Sequence, residues 1–442
     1  MPGSSLVGYT SALLLRSTSL ALVIFTAPAA QAGDSVVVRV APSGGDDTPV
    51  LQAALDRCVN ATFPCTVRLA PGTYKTRQLV AYNFRGTFEG AGPGETGSRI
   101  FPAGTLKVCP GLCPDNPDTT TSLWPSLVIF VDGNIRISNM SFHLTTVPAT
   151  TPYRLGTVLI DAVRVMGKDV MNVAMDRVSI EGAHTGERAW DGYNLLNCTS
   201  FAGELLNGNK DPNSPAYSKE HDTYPLRGSF KFTANSAHTC FSGFYVDRPF
   251  DSRVVLGGDE RHGNSTSDVL FGFELASFQN TVAEISYNSV SASRFANIIV
   301  YPEYFTDVPS HYSIHDNLVI SEGGPDGIFL IDNDNAHKII DATVVHNKSR
   351  ADPDKPFYGI VHPIGTEGTL IADNDLNGSA LWGIYFEAVT AGSAIDNDVS
   401  DVTATYSRIF LDDKTSDSTV SGSCSPGDVV DSGKRDTILC SN

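Results

Sequence analysis

Ile285-Ser-Tyr-Asn288, Ile314-His-Asp-Asn317, Val344-Val-His-Asn347, Ile371-Ala-Asp-Asn374 and Ala394-Ile-Asp-Asn397 are five versions of one short phrase, an apolar residue leading to an Asn. The Asn-to-Asn steps are 29, 30, 27 and 23 residues. About ten residues after each Asn comes a second apolar run, in order Asn297-Ile-Ile-Val300, Gly327-Ile-Phe-Leu330, Gly359-Ile-Val-His362, Gly383-Ile-Tyr-Phe386 and Arg408-Ile-Phe-Leu411. Two staggered ladders sharing one period mean a single supersecondary unit stacked on itself. The runs are rich in Ile, Val, Phe and Tyr and bounded by Gly, Asn, Asp and Ser, which is the composition of short strands between turns. No stretch between them has helical length and spacing, and the unit is too short for a propeller blade. The fold expected is all-β: a solenoid of short parallel strands, each coil resting on the one below at roughly 4.8 Å. Asn at a repeated turn can hydrogen-bond up and down such a stack, while inward Ile, Val and Leu fuse into one core.

Working outward, Phe232-Thr-Ala-Asn235 with Gly243-Phe-Tyr-Val246, and Val255-Leu-Gly-Gly258 with Gly272-Phe-Glu-Leu275, read as further members, and Gly192-Tyr-Asn-Leu195 and Ile135-Arg-Ile-Ser-Asn139 as less regular ones. The regular coils then cover 135–425, about ten coils and a rod on the order of 50 Å. Residues 33–134 form an N-terminal cap and first coils, and 426–442 a tail, all within one domain spanning 33–442. Thr48-Pro49 starts a short capping helix, with Val50, Leu51, Ala54, Leu55 and Cys58 on one face.

The first 32 residues read as an export signal: Arg16, an apolar run Leu20 to Ala27 too short for a span, and the small-x-small site Ala30-Gln31-Ala32. Eight Cys suit an oxidising compartment, outside the cell or in a periplasm. Cys58/Cys65 and Cys109/Cys113 are close in sequence, and Cys198/Cys240 and Cys424/Cys440 would tie off the insertion between them and the C-terminal tail, one of 105 connectivities open to eight Cys. Cys109 and Cys113 have no second cluster at zinc spacing. The net charge of −18 argues against a nucleic-acid partner, and no later stretch is apolar enough for membrane insertion. The chain reads as a monomer whose partner is a polysaccharide or glycan.

Gly45-Asp-Asp-Thr48, Leu51-Gln-Ala-Ala54, Val67-Arg-Leu-Ala-Pro-Gly-Thr-Tyr74 and Phe88-Glu-Gly-Ala-Gly92, together with the repeat, resemble the secreted proteins of the pectin-lyase fold, the right-handed parallel β-helices. The resemblance covers nearly the whole mature chain and implies carbohydrate chemistry. The motifs of its polygalacturonase-like members, Asn-Thr-Asp, Asp-Asp, Gly-His-Gly and Arg-Ile-Lys, are absent. Arg248-Pro249-Phe-Asp-Ser-Arg253 is a degenerate match to the pectate-lyase Arg-x-Pro-x-x-Arg element.

In stacked strands the outward positions form columns. One column is expected to be Asn194, Tyr245, Glu274, Ile299, Phe329, Val361, Tyr385 and Phe410; its neighbour is Leu196, Asp247, Ala276, Tyr301, Ile331, Pro363, Glu387 and Asp412. Tyr245, Tyr301, Phe329, Tyr385 and Phe410 are candidate sugar-stacking residues, or else a stripe covered by loops. Asp247 and Glu274 on adjacent coils, flanked by Arg248 and Arg253 with Lys231 one coil back, are the candidate catalytic group. A carboxylate pair could protonate a glycosidic oxygen; Arg or Lys could instead take the proton beside a uronate carboxyl. The loops about Thr199 to Arg227, Asp259 to Gly263 and Ser349 to Lys355 are expected to wall this column. Asp332-Asn-Asp-Asn335 carries oxygen ligands of the Ca²⁺ type but no bidentate Glu at loop spacing, so it reads as a turn; Ca²⁺ is the single cofactor left open. Two functions stay open: an enzyme cleaving a polysaccharide by lyase or glycoside hydrolase chemistry, and a non-catalytic glycan-binding or surface structural protein.

Overall fold

The computed structural model describes residues 35–59, 61–103, 126–144, 160–167, 169–182, 184–187, 194–196, 198–203, 226–292, 295–302, 308–332, 339–422 and 424–440. The export signal, the Cys109/Cys113 pair and most of the loop from Thr199 to Arg227 lie outside them. Thirty-one strands belong to one continuous sheet whose pairings are parallel. In each coil the chain crosses three faces. The first sheet stacks Arg227–Thr233, Arg253–Gly257, Val282–Ser286, His311–His315 and Thr343–Val345. The second stacks Ser236–His238, Ser265–Ser267, Ser289–Ala292, Leu318–Ser321 and Lys348–Ala351. The third stacks Cys198–Gly203, Ser242–Asp247, Phe271–Ala276, Ala296–Tyr301, Asp326–Ile331 and Phe357–Ile364. Each strand pairs with its counterpart one coil on, so the chain is a right-handed parallel β-helix.

The Asn ladder occupies the corner between the first and second sheets. Asn288 Nδ2 donates to Asn317 Oδ1 at 2.9 Å, Asn317 to Asn347 at 3.0 Å, Asn347 to Asn374 at 3.1 Å and Asn374 to Asn397 at 2.8 Å. Each Asn also donates to a main-chain carbonyl of the first-sheet strand one coil back, as Asn317 does to Ile285 O. The corner forces the preceding residue into the left-handed region: φ is 58° at Tyr287, 55° at Asp316 and His346, and 53° at Asp373. That backbone costs free energy for a residue with a side chain, and the ladder's saturated amides offset it. The ladder extends backward through Asn264 and Asn235. Asn264, not Gly258, is the member for its coil, because Gly258 to His262 bulge out before the corner is reached. Gly192-Tyr-Asn-Leu195 is no ladder member either: Asn194–Leu196 pairs antiparallel with His184–Glu187 in a separate small sheet.

The ladder glycines have a steric cause. A Cβ on Gly272 would lie 2.3 Å from Asn297 O, and one on Gly383 2.4 Å from Arg408 O. Inside, Phe230, Phe232, Phe244, Phe273, Ile298, Ile328 and Ile384 belong to one continuous apolar column. The helix Thr48–Asp56 buries Leu51, Ala54 and Leu55 against its N-terminal end, while Val50, expected on the same face, is 47% exposed. Disulfides join Cys58 to Cys65 and Cys424 to Cys440. Stacking continues into the segment expected as a tail, with Val429–Asp431 on Ile409–Leu411 and Thr437–Cys440 on Thr419–Gly422.

Candidate functional site

The outward rows of the third sheet hold the groups with chemistry. Register places Tyr245 beside Glu274, then Ile299, Phe329 and His362 on successive coils. Tyr385 and Phe410 continue the row. His362, not Val361, belongs here: Val361 pairs with Ile328 and Ile384 and is buried in the core. The strand Phe357–Ile364 aligns Ile360, rather than Gly359, with Gly327, and a one-residue slip exchanges the two faces of a strand. In the neighbouring row Ile364, not Pro363, sits between Ile331 and Glu387. Before Tyr245 the row holds Arg164 and Ala202, not Asn194. Arg164 is buried on Asp161, with Nε donating to Oδ2 at 2.8 Å and Ser126 Oγ donating to the same oxygen at 2.9 Å.

His362 is the centre of the arrangement. It is 2% exposed, with Nδ1 3.1 Å from Asp326 Oδ1 and Nε2 3.2 Å from Glu387 Oε2. Burial works to lower the imidazole's pKa, but the hydrogen bonds and charges of Asp326 and Glu387 outweigh it, and the net shift is upward. Burial pushes Asp326 up, against its bond to His362. Glu387 lies below the usual carboxylate range, held there first by His362 and also by Lys414 and the Tyr385 hydroxyl. Burial, with the charges of Glu387 and Asp412, raises Tyr385 so that its phenol keeps its proton. Around neutral pH the site therefore presents an ionised carboxylate beside a phenolic donor, with a hydrogen-bonded imidazole behind it.

The aromatic residues are brought together. The His362 ring stacks on Phe329 at 4.9 Å and on Tyr385 at 4.5 Å, and Tyr385 packs on Phe410 at 5.3 Å. Trp382 joins this row to Tyr358 and Tyr406. Ring faces within the column are spent on one another, so the row is a rigid wall more than a set of open plates. The open aromatic surface belongs to Tyr358 and Tyr406, 41% and 65% exposed.

The expected acidic pair is placed on the third sheet, but with a different environment. Glu274 Oε1 accepts a 2.7 Å hydrogen bond from the Tyr301 hydroxyl, and Tyr245, Ala276 and Tyr301 pack together. Asp247 and Arg248 are buried, with Arg248 Nε 3.8 Å from Asp247 Oδ1. Arg253 and Lys231 are not part of this group. Both lie on the first sheet, Lys231 one coil before Arg253, and Arg253, which follows the corner at Pro249 to Ser252, pairs with Glu284 at 2.7 Å. Asp259 to Gly263 lies at the corner between the first and second sheets and does not wall the third; Asp352 to Pro356 precedes Phe357 and does adjoin it. Asp332 is buried and its Oδ2 accepts from Ile339 N at 3.2 Å, while residues 333–335 lie outside the described structure.

No protein-family model matches the chain, and no curated protein matches it. Solved structures do. The A-module of the mannuronan C-5 epimerase AlgE6 from Azotobacter vinelandii is 13% identical over 90% of this chain and 96% of its own, with a TM-score of 0.41. A mutant of the DFA-IIIase from Arthrobacter chlorophenolicus A6, in complex with DFA-III, is 11% identical over 86% and 91%, at 0.47. The periplasmic alginate epimerase AlgG is 10% identical over 91% and 83%, at 0.41. At these identities the likeness concerns the fold.

Proposed function

We propose that this chain is an exported carbohydrate-active protein that cleaves a polysaccharide lying along the outward face of the third sheet, by lyase or glycoside hydrolase chemistry. One observation carries the reading. A single outward row, running from Glu274 with its bonded Tyr301 to Phe410, combines ionisable groups with the aromatic stack of Phe329, His362, Tyr385 and Phe410. Five coil steps at about 4.8 Å make that surface roughly 24 Å long, suited to a chain of sugars rather than to one.

Two centres on it can do acid–base work. At the first, Glu274 is the acid or base, Tyr301 holds its carboxyl, and the buried Asp247 and Arg248 set the charge beneath. At the second, Glu387 takes a proton, from water or from the carbon beside a uronate carboxyl, and Tyr385 donates to the leaving glycosidic oxygen. His362 and Asp326 position Glu387 and keep it ionised. The disulfides Cys58–Cys65 and Cys424–Cys440 support an extracellular or periplasmic setting, and among the described residues no helix is long and apolar enough to cross a membrane.

A second reading, glycan binding without cleavage, is favoured by the self-stacked rings, which suit a fixed platform, and by the burial of Asp247 and Arg248. Incubation with a panel of acidic and neutral polysaccharides, with and without chelator, separates the two. Unsaturated ends absorbing in the ultraviolet mark a lyase and new reducing ends alone a hydrolase. Binding retained with neither product across the panel overturns the enzymatic reading.

A further inference from the structure

A second cleft lies on a different face, near the N-terminal end of the first sheet. It is an open depression of about 630 Å³ between the loop Ala61 to Pro64 and the strands below, and Phe63, 56% exposed, forms its apolar wall. The sheet's register supplies the floor in two rows. One runs Arg85, Asn134, Asn172, Ser229 and the other Thr87, Arg136, Ala174, Lys231. Arg85, Arg136 and Lys231 are exposed, and Arg136 and Lys231 are two coils apart, roughly 10 Å.

The charge is out of character for the chain. Acidic residues outnumber basic ones 49 to 31, yet no Asp or Glu lines this cleft. Neither Arg85 nor Lys231 has an ion-pair partner among the described residues, and Arg136 meets Asp176 only at 3.8 Å. Arg253 and Arg435, by contrast, are held by Glu284 and Asp417. Between the cations, Asn172 Nδ2 donates to Asn134 Oδ1 at 3.0 Å, leaving amide groups on both residues free to meet hydroxyls.

We propose that this cleft binds a uronic-acid oligosaccharide, its carboxylates on Arg85, Arg136 and Lys231, its hydroxyls on Asn134 and Asn172, and one sugar face against Phe63. Arg forks match carboxylates in two-point geometry, and amides and hydroxyls between the cations favour a polyhydroxylated anion over a bare one. Surplus negative charge elsewhere repels a dense polyphosphate and leaves the cleft as a local attractor for a more sparsely charged chain. The site goes beyond the third-sheet reading and does not depend on it.

The test is calorimetric titration of the whole protein with oligogalacturonate, beside a neutral oligosaccharide of equal length, at two salt concentrations. The acidic ligand binds, weakens with salt, and loses about tenfold or more in affinity in the double variant Arg85→Gln/Lys231→Gln. Both positions are exposed, so the variant keeps the thermal midpoint of the parent. Arg435→Gln, an exposed arginine outside both the cleft and the third-sheet site, leaves this binding unchanged, which ties the binding to the cleft's own cations. Equal binding of the neutral sugar, an unaffected double variant, or an equal loss in Arg435→Gln each overturns the proposal.

Discussion

Replacing Asn317 with Ala removes the middle rung of the amide ladder. The Asn317 side chain donates to Ile285 O at 2.8 Å and to Asn347 Oδ1 at 3.0 Å, and accepts from Asn288 N at 3.0 Å and Asn288 Nδ2 at 2.9 Å. Asn317 is almost fully buried, so water cannot replace these partners without opening the corner. Four lost hydrogen bonds at about 1 kcal/mol each, with buried partners left unsatisfied, cost on the order of 4 kcal/mol. Against a domain stability of about 5–15 kcal/mol that is a large fraction. The control is Asn172→Ala, an exposed amide with one side-chain bond to Asn134, which should cost under about 0.5 kcal/mol. Denaturant unfolding followed by far-ultraviolet circular dichroism gives both values. If Asn317→Ala is no more costly than Asn172→Ala, the ladder is not what secures the corner.

Other outcomes follow from the same geometry. His362, whose pKa is raised, contributes stability below its unfolded value of 6.5 and loses it as pH rises through the folded value. Glu387, whose pKa is lowered, contributes above 4.5 and loses it as pH falls. Asp326, whose pKa burial raises, contributes below its ordinary value of 3.8 and loses that contribution as pH rises through its folded value. The stability gap between the parent and His362→Gln is therefore widest between about 4.5 and 6.5; a gap independent of pH would contradict the relay. Substituting Ser for both Cys424 and Cys440, which close a separation of 16 residues, should cost about 3 kcal/mol by loop entropy, read as a lower denaturation midpoint. Tyr406→Ala should weaken glycan binding severalfold with the midpoint almost unchanged, since most of that ring faces solvent; an unaltered dissociation constant would remove Tyr406 from the platform.

The sequence carried the fold clearly because the coil repeats its own hydrogen-bonding solution: Asn288, Asn317, Asn347, Asn374 and Asn397 recur wherever the same corner recurs. Asn264 was hidden by the bulge before it, and Gly258 stood in its apparent place. The same weakness cost the site its central residue. Gly359 imitates the ladder glycine, so the alignment turned Val361 outward and left His362 unnoticed, though Phe329 and Tyr385 on either side were legible. Asp326 could be read only once register had put it within reach of His362 from the previous coil. Arg253 and Lys231 lie close in sequence to Asp247 but around a corner from it, and proximity along the chain says nothing about which face a strand belongs to.

The most direct test of the third-sheet account is the cleavage rate of the best polysaccharide by the parent protein, by Glu387→Gln and by Glu274→Gln, with folding confirmed in each. General acid–base catalysis at one of these centres predicts that at least one substitution lowers the rate about 100-fold or more while binding persists. Parental rates in both variants would mean that the chemistry, wherever it resides, is not on this surface.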